Sequence, residues 1–87
     1  MPYRVELSPA AQRDLERLAW EIQARLATAI QALSEDPRPP GVRKLRGVDR
    51  TWRIRVGQYR IVYDIYNERE LVVILKVSRR SETTYRR

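Results

Sequence analysis

The stretch Thr51-Trp-Arg-Ile-Arg-Val-Gly-Gln-Tyr-Arg-Ile-Val-Tyr63 alternates apolar and basic residues, pauses at Gly57-Gln58, and resumes. Alternation of period two marks a strand with one buried face. A two-residue pause that begins with glycine suits a type II′ hairpin turn. Such a turn pairs Val56 with Tyr59, Arg55 with Arg60, Ile54 with Ile61, Arg53 with Val62 and Trp52 with Tyr63. Directly opposed residues share a face. Trp52, Ile54, Val56, Tyr59, Ile61 and Tyr63 thus make one apolar face, and Arg53, Arg55 and Arg60 a triangle of like charge on the other. Like charges set opposite each other destabilise a sheet by tenths of a kcal/mol, so the triangle asks for a reason. Arginine holds phosphate through two parallel hydrogen bonds and keeps its charge, which makes a polyanion grip one answer. The other is that arginines simply lay their stems along an exposed sheet face.

The rest of the chain arranges itself around this hairpin. Leu71–Ser78 is a further strand. If the loop before it has an odd residue count, Leu71, Val73, Leu75 and Val77 join the apolar face. Lys76 and Ser78 then turn toward the arginines, with Arg80 just beyond on the same parity. Upstream, Tyr3–Leu7 alternates as a short strand, and Val42–Leu45 extends as another. Ser8-Pro9 is a helix start, serine at the N-cap and proline in the first turn. Ala11, Leu15, Leu18, Ile22, Leu26, Ala29, Ile30 and Leu33 follow at helical spacing. One helix from Pro9 to Glu35 would be about 40 Å long, against a diameter of about 25 Å for a domain of this size. The geometry therefore predicts two antiparallel helices with a break near Leu18–Glu21. Asp36-Pro-Arg-Pro-Pro-Gly41 ends the helical region.

Residues 1–87 are expected to form one domain with a modest core, too small for a deep enclosed cavity. There is no cysteine and no histidine. Disulfides and thiolate chemistry are excluded, and the commonest general base and metal ligand are missing; no metal and no cofactor are expected. No apolar run reaches the roughly 20 residues of a membrane span, and the N-terminus lacks a signal-peptide pattern. A cytoplasmic protein without a membrane partner is the expectation. The net charge is +7 and it is unevenly spread: residues 1–36 hold 4 basic and 6 acidic side chains, residues 37–87 hold 14 and 5. A basic second half points to nucleic acid. In the tail, Val77-Ser-Arg-Arg-Ser-Glu-Thr-Thr-Tyr-Arg-Arg87, Tyr85 is an aromatic among cations, able to stack on a base, move a proton, or only dock the C-terminus.

Taken in order, the Tyr3–Leu7 strand, Ala11-Gln-Arg-Asp-Leu-Glu-Arg-Leu18, Leu33-x-x-Asp-Pro-Arg-Pro39, Lys44-Leu-x-Gly47, Trp52–Gly57, Tyr59–Tyr63 and Val77-x-x-Arg-x-x-x-x-Tyr-Arg86 resemble the RelE/ParE toxin superfamily over essentially the whole chain. The resemblance implies an α+β fold, with an N-terminal strand and a helical hairpin packed on one face of a small twisted antiparallel sheet. It also implies a RelE-like toxin of a type II toxin–antitoxin system, an endoribonuclease that cleaves messenger RNA in the ribosomal A site. Catalytic positions would fall on Arg53, Arg55, Arg60, Arg80 and Tyr85, with further RNA contacts from Lys44, Arg46, Lys76, Arg79 and Arg86. The implied partners are a RelB-like antitoxin, the ribosome and messenger RNA. Two departures stand out. Arginines replace the lysine pair usual at positions 53 and 55, and Ser78-Arg79 stands where Gly-His is frequent.

RNA cleavage beside a 2′-hydroxyl needs that hydroxyl deprotonated, the charge on phosphorus stabilised and the leaving 5′-oxygen protonated. Arginine, with its pKa above about 12, is no base. The arginines are left with electrostatic stabilisation and Tyr85 with proton transfer. Asp64, on the parity of Arg60, is a reserve base. Two other readings stay open: a ParE-like inhibitor of DNA gyrase that cleaves nothing, and a non-toxic basic RNA-binding module.

Overall fold

The computed structural model of the chain describes residues 2–47 and 49–79. Strand β1 (Arg4–Leu7) leads into helices α1 (Pro9–Glu16) and α2 (Trp20–Glu35). Four strands follow: β2 (Arg43–Lys44), β3 (Thr51–Val56), β4 (Tyr59–Tyr66) and β5 (Leu71–Arg79). They form one sheet of order β1-β5-β4-β3-β2. The neighbours from β2 to β5 are antiparallel as expected. At the edge β1 runs parallel to β5, which makes the sheet mixed. Residues 8–70 connect β1 to β5, more than the dozen that a parallel crossover needs.

Ser8 caps α1 by accepting a 3.1 Å hydrogen bond from Ala11 N. The helical break falls at residues 17–19, one to two positions earlier than its spacing suggested. Ala19 offers α2 no side-chain cap, but Gln23 Nε2 donates to the Leu18 carbonyl at 2.8 Å and secures the turn. The whole described chain measures 32 × 31 × 25 Å, which an unbroken helix would overrun. Ala11, Leu26, Ile30 and Leu33 pack from the helices onto Tyr59, Ile61, Tyr63, Ile65, Val72, Ile74 and Val77, with Trp52, Ile54 and Val56 at the margin. Tyr63 is fully buried, and its hydroxyl donates to the Pro37 carbonyl at 2.8 Å. Among the described residues, no helix is long and apolar enough to cross a membrane.

The β3–β4 hairpin has all five expected pairs, and Gly57 takes φ 60° at its turn. Strand β5 departs from the expected register. Its loop has four residues, Asn67 to Glu70, so Leu71 pairs with Tyr66. Before the middle of β5, it is Val72 and Ile74 that face the helices, and Leu71 and Val73 that face away. A bulge then intervenes: Tyr63 pairs with Ile74 while Val62 pairs with Lys76, leaving Leu75 as the extra residue. The bulge restores the expected phase, and Val77 turns inward opposite Ile61. An even loop and a single bulge each reverse the parity, so the two cancel. Alternation could not reveal this, because Leu71 and Val72 are both buried.

Candidate anion-binding sheet face

On the face away from the helices, β4 presents Arg60, Val62, Asp64 and Tyr66, and β3 presents Thr51, Arg53 and Arg55. Arg55 lies opposite Arg60, which in turn lies opposite Ser78 of β5. The triangle read from the hairpin is present. Arg55 is exposed, while Arg53 and Arg60 are half-buried, and the Nε of Arg60 is out of contact with water. A guanidinium whose stem is sunk into the sheet is held in direction, which suits it to fix one phosphate oxygen rather than sweep the surface.

Strand β2 adds a residue that sequence reasoning missed. Arg43 pairs with Arg53, and Lys44 with Trp52. Arg43 therefore joins the arginine face, whereas Lys44 falls on the Trp52 side at the sheet edge. With strands about 4.8 Å apart and two residues spanning about 7 Å, the Cα atoms of Arg43, Arg53, Arg55 and Arg60 lie within about 12 Å of one another. The signal was the parity of a two-residue strand, too short to be phased without its partner.

The other expected contacts divide. Arg46 is exposed in the turn after β2, beside Lys44, Gly47 and Asp49. Lys76 lies opposite Val62 in register, but its ammonium turns back to Asp14 of α1, with Nζ 3.7 Å from Oδ2. Arg79 pairs with Tyr59, which sets it on the helix side, and its Nη2 donates to Gln58 Oε1 at 3.4 Å. It lines a cleft of about 270 Å³ with Asp14, Arg17, Leu18 and Tyr59. The bulge is the physical reason: it fixes the phase of Val77, and with it that of Arg79. Arg80, Tyr85 and Arg86 lie outside the described residues.

Among the described residues, proton-transfer groups are scarce on this face. Asp64 sits four residues along β4 from Arg60, about 13 Å by strand rise. It accepts from Thr51 Oγ1 at 2.6 Å and from the Tyr66 hydroxyl at 3.4 Å. Arg53, opposite Val62, is its diagonal neighbour on the same face, about 8 Å away between Cα atoms, whereas Arg55 and Arg60 lie at the far end of the triangle. Burial pushes the Tyr63 phenol above its ordinary value; Arg38 opposes this and Asp36 adds to it. That phenol lies on the helix side and holds its proton. The arrangement has the chemistry to hold negative charge rather than to move protons.

Residues 5–84 match the family model described as the ParE toxin of the type II toxin–antitoxin system parDE. The chain belongs to the RelE/ParE family of type II toxins. It is 39% identical to toxin RelG of Mycobacterium tuberculosis, over the full length of both chains. Its fold is similar to the solved toxin–antitoxin complex RelBE2 of the same organism, with a TM-score of 0.82 and 34% identity over 94% of this chain and 95% of that one. The archaeal RelE–RelB complex of Pyrococcus horikoshii also gives a TM-score of 0.82, at 27% identity over 95% of this chain and all of the other. This member of the family carries Arg43, Arg53, Arg55 and Arg60 on β2, β3 and β4, on the sheet face opposite the helical hairpin.

Proposed function

We propose that this toxin is a ribosome-dependent endoribonuclease that cuts messenger RNA on the open face of its sheet. The observation that carries the reading is the convergence of Arg43, Arg53, Arg55 and Arg60 on three adjacent strands. In the reaction the 2′-hydroxyl loses its proton and attacks phosphorus. The bond from phosphorus to the 5′-oxygen breaks, and that oxygen takes a proton. Arg53, Arg55, Arg60 and Arg80 stabilise the charge that builds up on the phosphoryl oxygens. Tyr85 is assigned the proton transfer. The ribosome supplies the remainder by positioning the RNA, a contribution of several kcal/mol.

A RelB-like antitoxin is the expected partner, as in the two complexes to which this fold is similar. Acidic cover complements the arginine face. An apolar hollow of about 510 Å³ between β1 and the helices, lined by Val5, Leu7, Leu15, Ala27 and Ile30, offers it a second anchorage.

The match to the ParE family model favours a second reading, inhibition of DNA gyrase without cleavage. Induced expression with mapping of messenger RNA 5′ ends separates the two. The nuclease reading expects new ends that vanish with Arg60→Ala and Tyr85→Phe. Growth arrest with gyrase-linked DNA breaks and no new RNA ends would replace it with the second.

A further inference from the structure

The open face has two chemically different ends. Beyond the arginines, β4 continues through Val62 to Asp64 and Tyr66, which lie opposite Val73 and Leu71 of β5. The Arg50 guanidinium lies over the Tyr66 ring, 4.8 Å from its centroid. The carbonyl of Arg50 accepts from Ile65 N at 2.9 Å, so its backbone is tied to β4. The Tyr66 hydroxyl donates to Asp64 Oδ2 at 3.4 Å, and buried Thr51 donates to Oδ1 at 2.6 Å. The carboxylate is thereby oriented, yet two of its roughly four acceptor positions remain. Glu6 of β1, opposite Val73, adds another carboxylate in the same row, paired with Arg4 at 3.1 Å.

This end is balanced in charge, Asp64 and Glu6 standing against Arg50 and Arg4, so it draws phosphate less than the arginine triangle does. A strand of RNA held by its phosphates at the arginines meets a different surface where it continues along β4. The surface on offer is a flat cationic plate, Arg50 on Tyr66, flanked by Val62, Val73 and Leu71 and edged by a carboxylate. Nucleobases stack on arginine planes and aromatic rings. A carboxylate accepts hydrogen bonds from amino groups such as cytosine N4. Uracil instead flanks its one N–H with two carbonyl oxygens, which a carboxylate repels.

We propose that Arg50, Tyr66 and Asp64 form a nucleobase subsite that selects amino-bearing bases over uracil, about 13 to 20 Å along β4 from the phosphate held at Arg60. Arg50 and Tyr66 provide the stacking plate, and Asp64 reads the edge of the base. The inference rests on the RNA reading given above and narrows which sequences this toxin prefers.

Equilibrium binding to 2′-O-methyl RNA heptamers tests it, because such RNA cannot be cut and affinity is read apart from catalysis. Fluorescently labelled all-uridine oligomers are compared with single-cytidine and single-abasic versions at each position, using the full-length protein. One position is expected where cytidine tightens binding by about tenfold and an abasic nucleotide weakens it. Arg50→Ala should remove most of that difference, and Asp64→Asn the preference for cytidine over uridine. Tyr66→Phe should keep the stacking gain, which separates the plate from the fold should Tyr66→Leu be unstable. Arg55→Ala should weaken all oligomers alike. RNA binding in which Arg50→Ala and Asp64→Asn discriminate as the wild type does overturns the subsite and leaves the nuclease reading standing. A wild type that binds none of the oligomers also overturns the subsite, while the nuclease reading is decided by the mapping of messenger RNA 5′ ends.

Discussion

Asp14 of α1 and Val77 of β5 are 63 positions apart, yet the carboxylate Oδ2 accepts the Val77 backbone N–H at 2.9 Å. The same oxygen lies 3.7 Å from Lys76 Nζ. Ser8 N donates to the Ile74 carbonyl at 2.9 Å and Ser8 Oγ to that of Leu75 at 3.1 Å. Two side chains at either end of α1 thus hold the bulge of β5, whose freed backbone groups would otherwise lack partners. The bulge returns Val77 to the core and places Ser78 beside Arg60.

Asp14→Ala should lower stability by about 1–3 kcal/mol, since it leaves a part-buried N–H without its charged acceptor. Lys76→Ala should lower it by less than about 1 kcal/mol, because that ion pair is exposed on the lysine side. Urea unfolding at fixed pH compares them. Equal losses would show that the ion pair, and not the hydrogen bond, secures the strand.

Arg55→Ala should weaken RNA binding and slightly raise stability, by tenths of a kcal/mol, as it removes the charge opposite Arg60. Arg43→Ala should weaken binding too. Every phosphate that a substitution leaves without its cation should flatten the slope of log affinity against log salt by about 0.7 for single-stranded RNA. An unchanged slope in Arg43→Ala would remove that residue from the grip.

Gly57→Ala should destabilise the hairpin by about 1 kcal/mol or more, because φ 60° disfavours any side chain there. An added Cβ would also approach Arg25 Nη1 to 3.1 Å, but that guanidinium is the end of a flexible chain and can move. Thermal unfolding of Gly57→Ala with and without Arg25→Ala separates the causes. A loss that persists in the double variant is backbone strain.

Tyr63 gives an alkaline limit. Its folded pKa is raised by burial, so the native state keeps its proton where the unfolded chain, near pH 10, releases it. The stabilising effect is complete below pH about 10 and is lost as the pH rises toward the folded value, by up to about 1.4 kcal/mol per pH unit. Tyr63→Phe should be less stable at neutral pH, having lost the bond to the Pro37 carbonyl, and should decline less steeply above pH about 10. Parallel slopes for the two proteins in chemical unfolding from pH 9 to 11 would remove Tyr63 as the cause.

Strands β3 and β4 were legible because one face is apolar and the other charged, and because Gly57-Gln58 fixes the turn. The helical hairpin followed from length alone, as an unbroken helix outruns the molecule. Those elements, the Arg53, Arg55 and Arg60 triangle and the family resemblance were all determined by local pattern. What tertiary structure decided lies where pattern gives no phase. Strand β5 is apolar on both faces, so only the four-residue loop and the bulge under α1 could say which residues turn inward. Strand β2 has two residues, so only pairing with β3 could put Arg43 rather than Lys44 with the arginines. Side-chain reach decided the rest, drawing Lys76 to Asp14 and Asp64 to Thr51 and Tyr66. Sequence sets the period of a strand, but its register comes from the neighbours that satisfy its hydrogen bonds.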